Sequence, residues 1–591
     1  MVAGGSSRIH NSTLPVILIA AVVQGWALYA LHLAIKGSHW PATQPAWLLG
    51  LYALAAFIPL TVQLLAGHAR SRITWLITGS MALLFFYFAW HHGANVLDRG
   101  AESFASSGRW FPIAFVLGVL WLLMLPFIQC RLADGQWRAR YEALFATAWR
   151  NKLVLAEAVL FTGLFWLLLF LWQELFKMLG IRFFTELFAE PIFVYPVTSL
   201  AFGFALHLIG SVERLTSVVL EQLLNVLKWL AILAGLILAL FTVALIFKLP
   251  GMIGSGERAI SAAWLLWLVA VTVLLVNAAY RDGSVAEPYP KWIALALRFV
   301  IPLTIVISIT ALYALYVRID TYGFTIERVW ASIVAGAACI YAVGYALAAR
   351  SQGRWMAGVA RINVLTALFL IAAISLALTP MLSPYRISAN SQFRLAQEPP
   401  RAQKAGQRGY DTPLHYLRFN SGEYGAARLR ELANLENHPR AAEIREAAAA
   451  MIAQQQRWQP AIPSNLKQSL GEITVYPAGK SIDAPLLERL EADLKNPQLG
   501  CPQMNEGAAL GGVFADLNAD QVDEFVLIVS AQACAYGRKA GQWQRLGALT
   551  SHSSGHGSDL VAQIAAGHVR VQEPAWRELI IGRHTFQMNG T

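Results

Sequence analysis

Three groups of residues in this 591-residue chain have the types and spacing to do chemistry. The first is acidic. Asp516, Asn518, Asp520 and Glu524 occupy the first, third, fifth and ninth positions of a stretch that runs into a hydrophobic segment. Oxygen-bearing side chains at alternate loop positions can wrap a hard cation, so these four are candidate calcium ligands, and calcium is the one cofactor the sequence suggests. An Asx-rich turn entering a strand is the alternative. The second group is Arg318, Asp320, Tyr322, Thr325 and Arg328, gathered around Gly323. Two guanidiniums beside a helix N-terminus would bind an anion or a lipid phosphate. The favoured reading is structural: Thr325 caps a helix, Gly323 makes the turn, and the charges pair. The third group is polar residues inside apolar runs, namely Gln24, Gln63, Glu157, His207 and Asn277, with Arg298 near an edge. Glu157 draws attention because an isolated carboxylate in hydrocarbon is costly, although it lies close enough to a run's end to reach toward Lys152. No phosphate loop, zinc helix or nucleophile elbow is present, so no catalytic residue is assigned and an enzyme is the less favoured class.

Those polar residues sit in a chain that is 56% hydrophobic and 14% charged, with a mean hydropathy of +0.48. A soluble chain carries about a quarter charged residues. The expected fold is therefore a polytopic α-helical membrane protein of about eleven transmembrane helices over residues 1–381, followed by a soluble α+β domain. Apolar runs of spanning length fall at 14–33, 47–65, 73–90, 111–128, 153–172, 195–210, 229–247, 262–280, 299–317, 330–349 and 362–381. The first reads as an uncleaved anchor. Run 195–210 is short, contains His207, and decides the parity of everything after it. Residues 176–188 and 215–227 read as interfacial helices or as extensions of their neighbours.

Charge supplies the orientation. Residues 1–381 hold 25 Lys and Arg against 15 Asp and Glu, while 382–591 hold 21 against 20, so the net +11 belongs almost wholly to the apolar part. Short loops that include Arg70, Arg131, Arg138, Arg150 and Lys152 carry 14 basic residues, and the alternate loops carry 9. That bias places the N-terminus in the cytoplasm and the C-terminal domain in the periplasm. A basic balance confined to such loops gives no support to nucleic-acid binding. Export would let Cys501 and Cys534, the only cysteines of the tail, form a disulfide.

The tail divides by composition. Residues 382–410 are polar and contain prolines, as in a linker, 411–459 read as a helical hairpin, and 460–591 as an α+β domain with a helix over 486–494 and a buried strand over 524–530. Short strands are also expected at 472–476, 568–571 and 578–581.

Two further stretches carry a resemblance. The turn Tyr322-Gly323-Phe324-Thr325-x-x-Arg328 and the tail segment Tyr416-Leu417-Arg418-Phe419-x-x-Gly422-x-Tyr424-Gly425, together with the many spans, resemble the bacterial membrane family known as domain of unknown function 4153. The resemblance implies a bacterial inner-membrane location and brings no activity or catalytic residues. The acidic loop is similar to the Asp-x-Asn-x-Asp calcium loops of integrin-type propeller repeats, which favour glycine where Ala519 and Gln521 stand. Three functions are then open. The first is envelope biogenesis or transport of a lipid-like or anionic substrate, with a tail that binds periplasmic proteins. The second is a membrane-embedded transferase working on a lipid-linked substrate at the outer face. The third is a calcium- or redox-responsive sensor.

Overall fold

The computed structural model describes residues 6–95, 110–211, 213–255, 261–284, 287–351, 355–399, 412–454, 457, 470, 473–494, 510–529, 532–539, 541–550, 557–571, 579–581 and 584–586. They form two compact units: residues 1–399 with 416–449, and residues 400–415 with 450–591.

The first unit is a helical bundle. Its helices are α1 (Ser6–Lys36), α2 (Pro45–Leu64), α3 (Arg72–Ala94), α4 (Phe111–Asp134), α5 (Tyr141–Met178), α6 (Phe183–Ala189), α7 (Pro191–Ser211) and α8 (Glu213–Ser255). They continue with α9 (Ala262–Tyr280), α10 (Lys291–Val300), α11 (Thr304–Tyr322), α12 (Ile326–Ala349) and α13 (Val359–Ala377). Among the described residues eleven helical segments are long and apolar enough to cross a membrane, one for each expected run. The ninth, Lys291–Tyr322, joins α10 and α11 through a turn of 3₁₀ helix. Segment 195–210 lies within α7. Glycine is what lets α7 pack closely. A Cβ on Gly25 of α1 would lie 2.5 Å from Pro196 Cα, and one on Gly203 would lie 2.7 Å from Ala21 Cβ. Small residues substitute for a hydrophobic driving force between apolar helices by allowing close backbone approach. The two stretches read as interfacial helices or as extensions differ in form. Residues 215–227 are part of the single long helix α8, and 176–188 divide between the end of α5 and the short α6.

The buried core has two main clusters. One gathers Leu48, Phe85, Leu120, Trp121 and Leu125 from α2, α3 and α4, and the other gathers Leu238, Leu265, Ile307, Ala311 and Tyr345 from α8, α9, α11 and α12. Helix α13 contributes Val359 to the second and Ile374 to the first.

The described part of 382–410, residues 382–399, is not the plain linker expected from its composition. Pro384–Gln397 form a helix, α14, with Pro384 in its first turn and Pro384, Ser388, Ala389 and Gln392 buried. Its buried face is small and polar, so apolar periodicity could not reveal it. Beyond it α15 (Pro413–Phe419), α16 (Gly422–Ala433) and α17 (Ala441–Ala453) follow, and most of this hairpin groups with the bundle.

The second unit is an α+β fold. Strands β1 (Thr474–Tyr476), β2 (Leu510–Ala515), β3 (Glu524–Val529), β4 (Gln532–Lys539) and β5 (Gln542–Thr550) make one sheet in that order, with β1 parallel to β2 and the rest antiparallel. Side chains alternate across a strand. Phe525, Leu527 and Val529 therefore face one way, packing with Leu486, Leu490 and Leu494 of α18 (Ala484–Leu494), while Val526 faces the other way with Val513, Ala535 and Ile564 of α19 (Gly557–Ala565). Strands β6 (Leu579–Ile581) and β7 (His584–Phe586) pair separately. Residues 568–571, expected as a strand, follow the turn that ends α19 and pair with nothing in a sheet.

Asp483 links α18 to the sheet. Its carboxylate accepts the Leu486 N–H at 2.9 Å as a helix cap, the Trp543 indole N–H at 3.0 Å, and Arg538 at 2.7 Å. Burial opposes the charge, yet these hydrogen bonds hold its pKa below the ordinary 3.8. A depressed carboxylate gives stability that is complete above the ordinary value and lost as pH falls through the folded-state value. Acid titration of the full chain, followed by proteolysis of the C-terminal unit, should show protection falling below about pH 4. The Asp483→Ala variant should be less protected at neutral pH and show a shallower acid loss; an identical slope would remove Asp483 from this role.

Candidate functional site

The residues singled out in the sequence collect at three places. The first is the α11–α12 turn. Gly323 ends α11 at φ +71°, a left-handed conformation suited to glycine, and Thr325 caps α12 by accepting the Arg328 N–H at 3.3 Å. Half-buried Arg328 donates to the carbonyls of Tyr322 at 3.2 Å and Gly323 at 2.5 Å, and its guanidinium lies 5.6 Å from the centre of the Tyr322 ring. Arg318 and Asp320 are exposed on the last turn of α11. The five residues are thus brought together, and Arg328 Nη1 and the Thr325 hydroxyl are used on the turn itself.

Side chains from the C-terminal hairpin complete this end of the bundle. Gln392 of α14 donates to the Tyr322 and Phe324 carbonyls at 2.9 and 3.0 Å, and Ser391 accepts the Phe324 N–H at 2.9 Å. Tyr416 of α15 accepts the Ile326 N–H at 2.8 Å. Burial pushes the Tyr416 phenol up to about 12, so it stays neutral across the ordinary pH range. At the close of α3, His92 lies 3.4 Å from the Tyr385 hydroxyl. Gly422, at φ +58°, sits so close to Asn95 that a Cβ would fall 1.8 Å from the Asn95 carbonyl oxygen. The turn and the tail segment on which the family resemblance rests are therefore in direct contact. Sequence reasoning missed Tyr385, Ser391 and Gln392, because isolated polar residues in a segment read as a linker carry no periodic signal, and it missed Asn95, a lone polar residue just past the third apolar run.

The second place is the opposite end of the bundle, where the polar residues of the apolar runs meet. The Asn277 carboxamide oxygen accepts from Tyr345 at 2.9 Å and from Asn363 at 2.6 Å. Tyr345 also donates to the Asn363 oxygen at 2.7 Å, and Asn363 donates to the Tyr141 hydroxyl at 2.7 Å. The network joins α5, α9, α12 and α13 and borders a cavity of about 370 Å³. A second cavity, of about 420 Å³, is lined by Gln63, Gln129, Arg150, Asn151 and His207. There Asn151 donates to Gln129 at 2.6 Å, while Gln63 donates to Gln24 at 3.2 Å. A third cavity, about 370 Å³, is almost wholly apolar, with Tyr52, Phe57, Trp110 and Tyr195 among its walls. Arg298 donates to the Ser351 carbonyl at 3.2 Å. Glu157 lies apart, half-buried and not ion-paired with Lys152; neither it nor Asp320 lines any of these three cavities.

The third place is the acidic loop. Ala519 and Gln521 have φ of +62° and +65°, so the positions where related loops favour glycine do adopt glycine's conformation. The carboxylates of Asp516, Asp520 and Glu524, however, are turned on the loop itself. Asp516 accepts the N–H groups of Asp520 and Gln521, Asp520 accepts that of Val522, and Glu524 accepts the Leu517 N–H and the Asn518 amide. Desolvation opposes the charge, yet several backbone N–H groups, led by that of Gln521, together hold Asp516 below the usual carboxylate range. Among the described residues no group of three or more His, Cys, Asp or Glu side chains is placed to hold a metal ion, and the carboxylates of this loop accept from the loop's own N–H groups. Cys534 is fully buried on β4, and Cys501 lies outside the described residues; the free cysteines among the described residues are Cys130 and Cys339.

Eleven long apolar helices joined to a small α+β unit define an architecture that suggests a polytopic membrane protein. Residues 2–405 match the family described as Domain of unknown function (DUF4153), and the chain belongs to that family. No curated protein and no solved structure matches it.

Two outcomes follow. Tyr416→Phe keeps the ring but leaves the Ile326 N–H without its acceptor, which should cost about 1–3 kcal/mol, while Gly422→Ala drives a methyl into the Asn95 carbonyl and should cost roughly 2–3 kcal/mol. Thermal unfolding of the full chain, read by proteolysis within 384–433, should register both losses; unchanged protection would mean the hairpin is not held there. Conversely, Ala519→Gly and Gln521→Gly relieve left-handed strain and should each stabilise the C-terminal unit by about 0.5–1 kcal/mol, measured by the same method.

Proposed function

We propose that this chain is a bacterial inner-membrane protein, N-terminus cytoplasmic and C-terminal domain periplasmic, that binds and moves a lipid-like or anionic substrate during envelope biogenesis. The observation that carries the reading is the set of cavities set between the apolar helices, polar near the end bearing Asn277 and Asn151 and apolar around Tyr52 and Trp110. Polar side chains among lipid-facing helices are costly and concentrate where something other than hydrocarbon is handled. The excess of Lys and Arg in the loops at the Tyr141 end supports the cytoplasmic assignment of that end. Under that assignment the hairpin clasped over the α11–α12 turn is periplasmic, where it is available to periplasmic proteins, and an oxidising compartment favours a Cys501–Cys534 disulfide.

A transferase centred on Arg318 to Arg328 has less support, because Arg328 is committed to two backbone carbonyls and Asp320 lines none of the cavities described. The test is transport. Vesicles holding the full chain should exchange a fluorescently labelled phosphatidylglycerol between leaflets faster than protein-free vesicles. Equal rates, with the chain shown to be inserted, would count against movement of a lipid.

A further inference from the structure

The hydrogen bonds of the Asn277 network leave a specific surplus. Asn363 uses both N–H groups of its amide, one on Asn277 and one on Tyr141. Tyr345 spends its single proton on the two carboxamide oxygens. In this arrangement the Asn277 oxygen accepts twice, and flipping that amide alone would set its N–H groups against the Asn363 N–H and lose that bond. Nothing among the described residues accepts from the Asn277 Nδ2 or from the Tyr141 hydroxyl proton. Both residues line the 370 Å³ cavity.

The rest of that cavity has the same bias. Lys152 stands on its wall, exposed, with its ammonium 5.1 Å from the centre of the Trp149 ring and in no ion pair with a described acid. Among the described residues no aspartate or glutamate lines the space. Its other walls are apolar, with Leu122, Leu123, Phe127, Phe145 and Val364 among them. The chemistry is a cation and spare N–H and O–H donors at one end, and hydrocarbon along the remainder. A ligand complementary to it carries an acceptor-rich anion on an apolar chain.

We infer that this cavity is a binding site for an anionic phospholipid from the surrounding bilayer. Its phosphate lies against Lys152, Asn277 and Tyr141, and an acyl chain runs along the Leu122, Phe127 and Phe145 wall. Basic pockets between helices at the cytoplasmic side are suited to such head groups. The inference rests on the proposed function and names the substrate class and the site for it.

The test uses the full chain in nanodiscs of phosphatidylcholine containing a minority of phosphatidylglycerol, with tightly retained lipid identified by native mass spectrometry. The parent protein should retain phosphatidylglycerol in preference to phosphatidylcholine. Lys152→Glu reverses an exposed charge without touching the core and should cut that retention roughly tenfold. Ala367→Trp, which fills the cavity without altering charge, should abolish it. Lys291→Glu changes a lysine at the same end that lines no part of this cavity, and should leave it unchanged. Equal loss with Lys152→Glu and Lys291→Glu would reduce the effect to diffuse attraction, and retention in Ala367→Trp would place the lipid outside the cavity; either overturns the site. Binding of inorganic phosphate that depends on Lys152, with no lipid retained, would assign the site to a soluble anion and overturn the lipid. Retention is an equilibrium reading. Lipid held in the cavity without leaflet exchange would therefore sink the transport reading alone, and exchange that persists in Ala367→Trp would sink the site alone.

Discussion

A carboxamide surrounded by hydrocarbon has to find its hydrogen bonds within the protein, and the bundle is organised around that requirement where Asn277 and Asn363 meet. One residue comes from the end of α9 and the other from the start of α13, and Tyr345 of α12 and Tyr141 of α5 close the set. Four helices are thereby tied at one depth by bonds that apolar packing could not specify. A slip of one residue along any of these helices would break several of them at once. The site argued above is the remainder of this network: donors left over after the internal bonds are made.

The opposite end is fixed by backbone chemistry. Helix ends leave N–H and C=O groups without intrahelical partners, and the α11–α12 turn has its share taken up by Thr325, Arg328, Gln392, Ser391 and Tyr416. Ninety residues of sequence separate Ile326 from the phenol that accepts its N–H. This contact joins the two segments quoted for the resemblance, of which the turn alone lies within the matched residues 2–405: Tyr416 seats the hairpin on the turn before the tenth span, and Gly422 lets it approach Asn95 at the end of α3.

Much of the fold was legible in the sequence because its strongest signal is length and apolarity. All eleven helices fall where apolar runs fell, including α7, whose place in the bundle depends on Gly25 and Gly203. Helix α14 was not legible, since it buries Ser388, Ala389 and Gln392 rather than leucines. Of the polar residues, Asn277 stood out inside an apolar run, whereas Tyr141, Tyr345 and Asn363 were not singled out; their meeting in space is what distinguishes them. The acidic loop shows the converse. Its spacing was apparent and its left-handed positions matched, yet its oxygens are occupied by the loop's own amides. Spacing along a chain identifies candidate ligands, and competing donors nearby decide how they are used.

What occupies the space beside Asn277 decides whether the cavity is a lipid site. An experimental structure of the full chain in nanodiscs containing phosphatidylglycerol measures this directly. A head group should lie within hydrogen-bonding distance of Asn277 Nδ2 and Lys152, with an acyl chain leading out past Phe127 and Phe145. A cavity holding only water, with lipid confined to the outer surface of the bundle, would contradict a lipid site there.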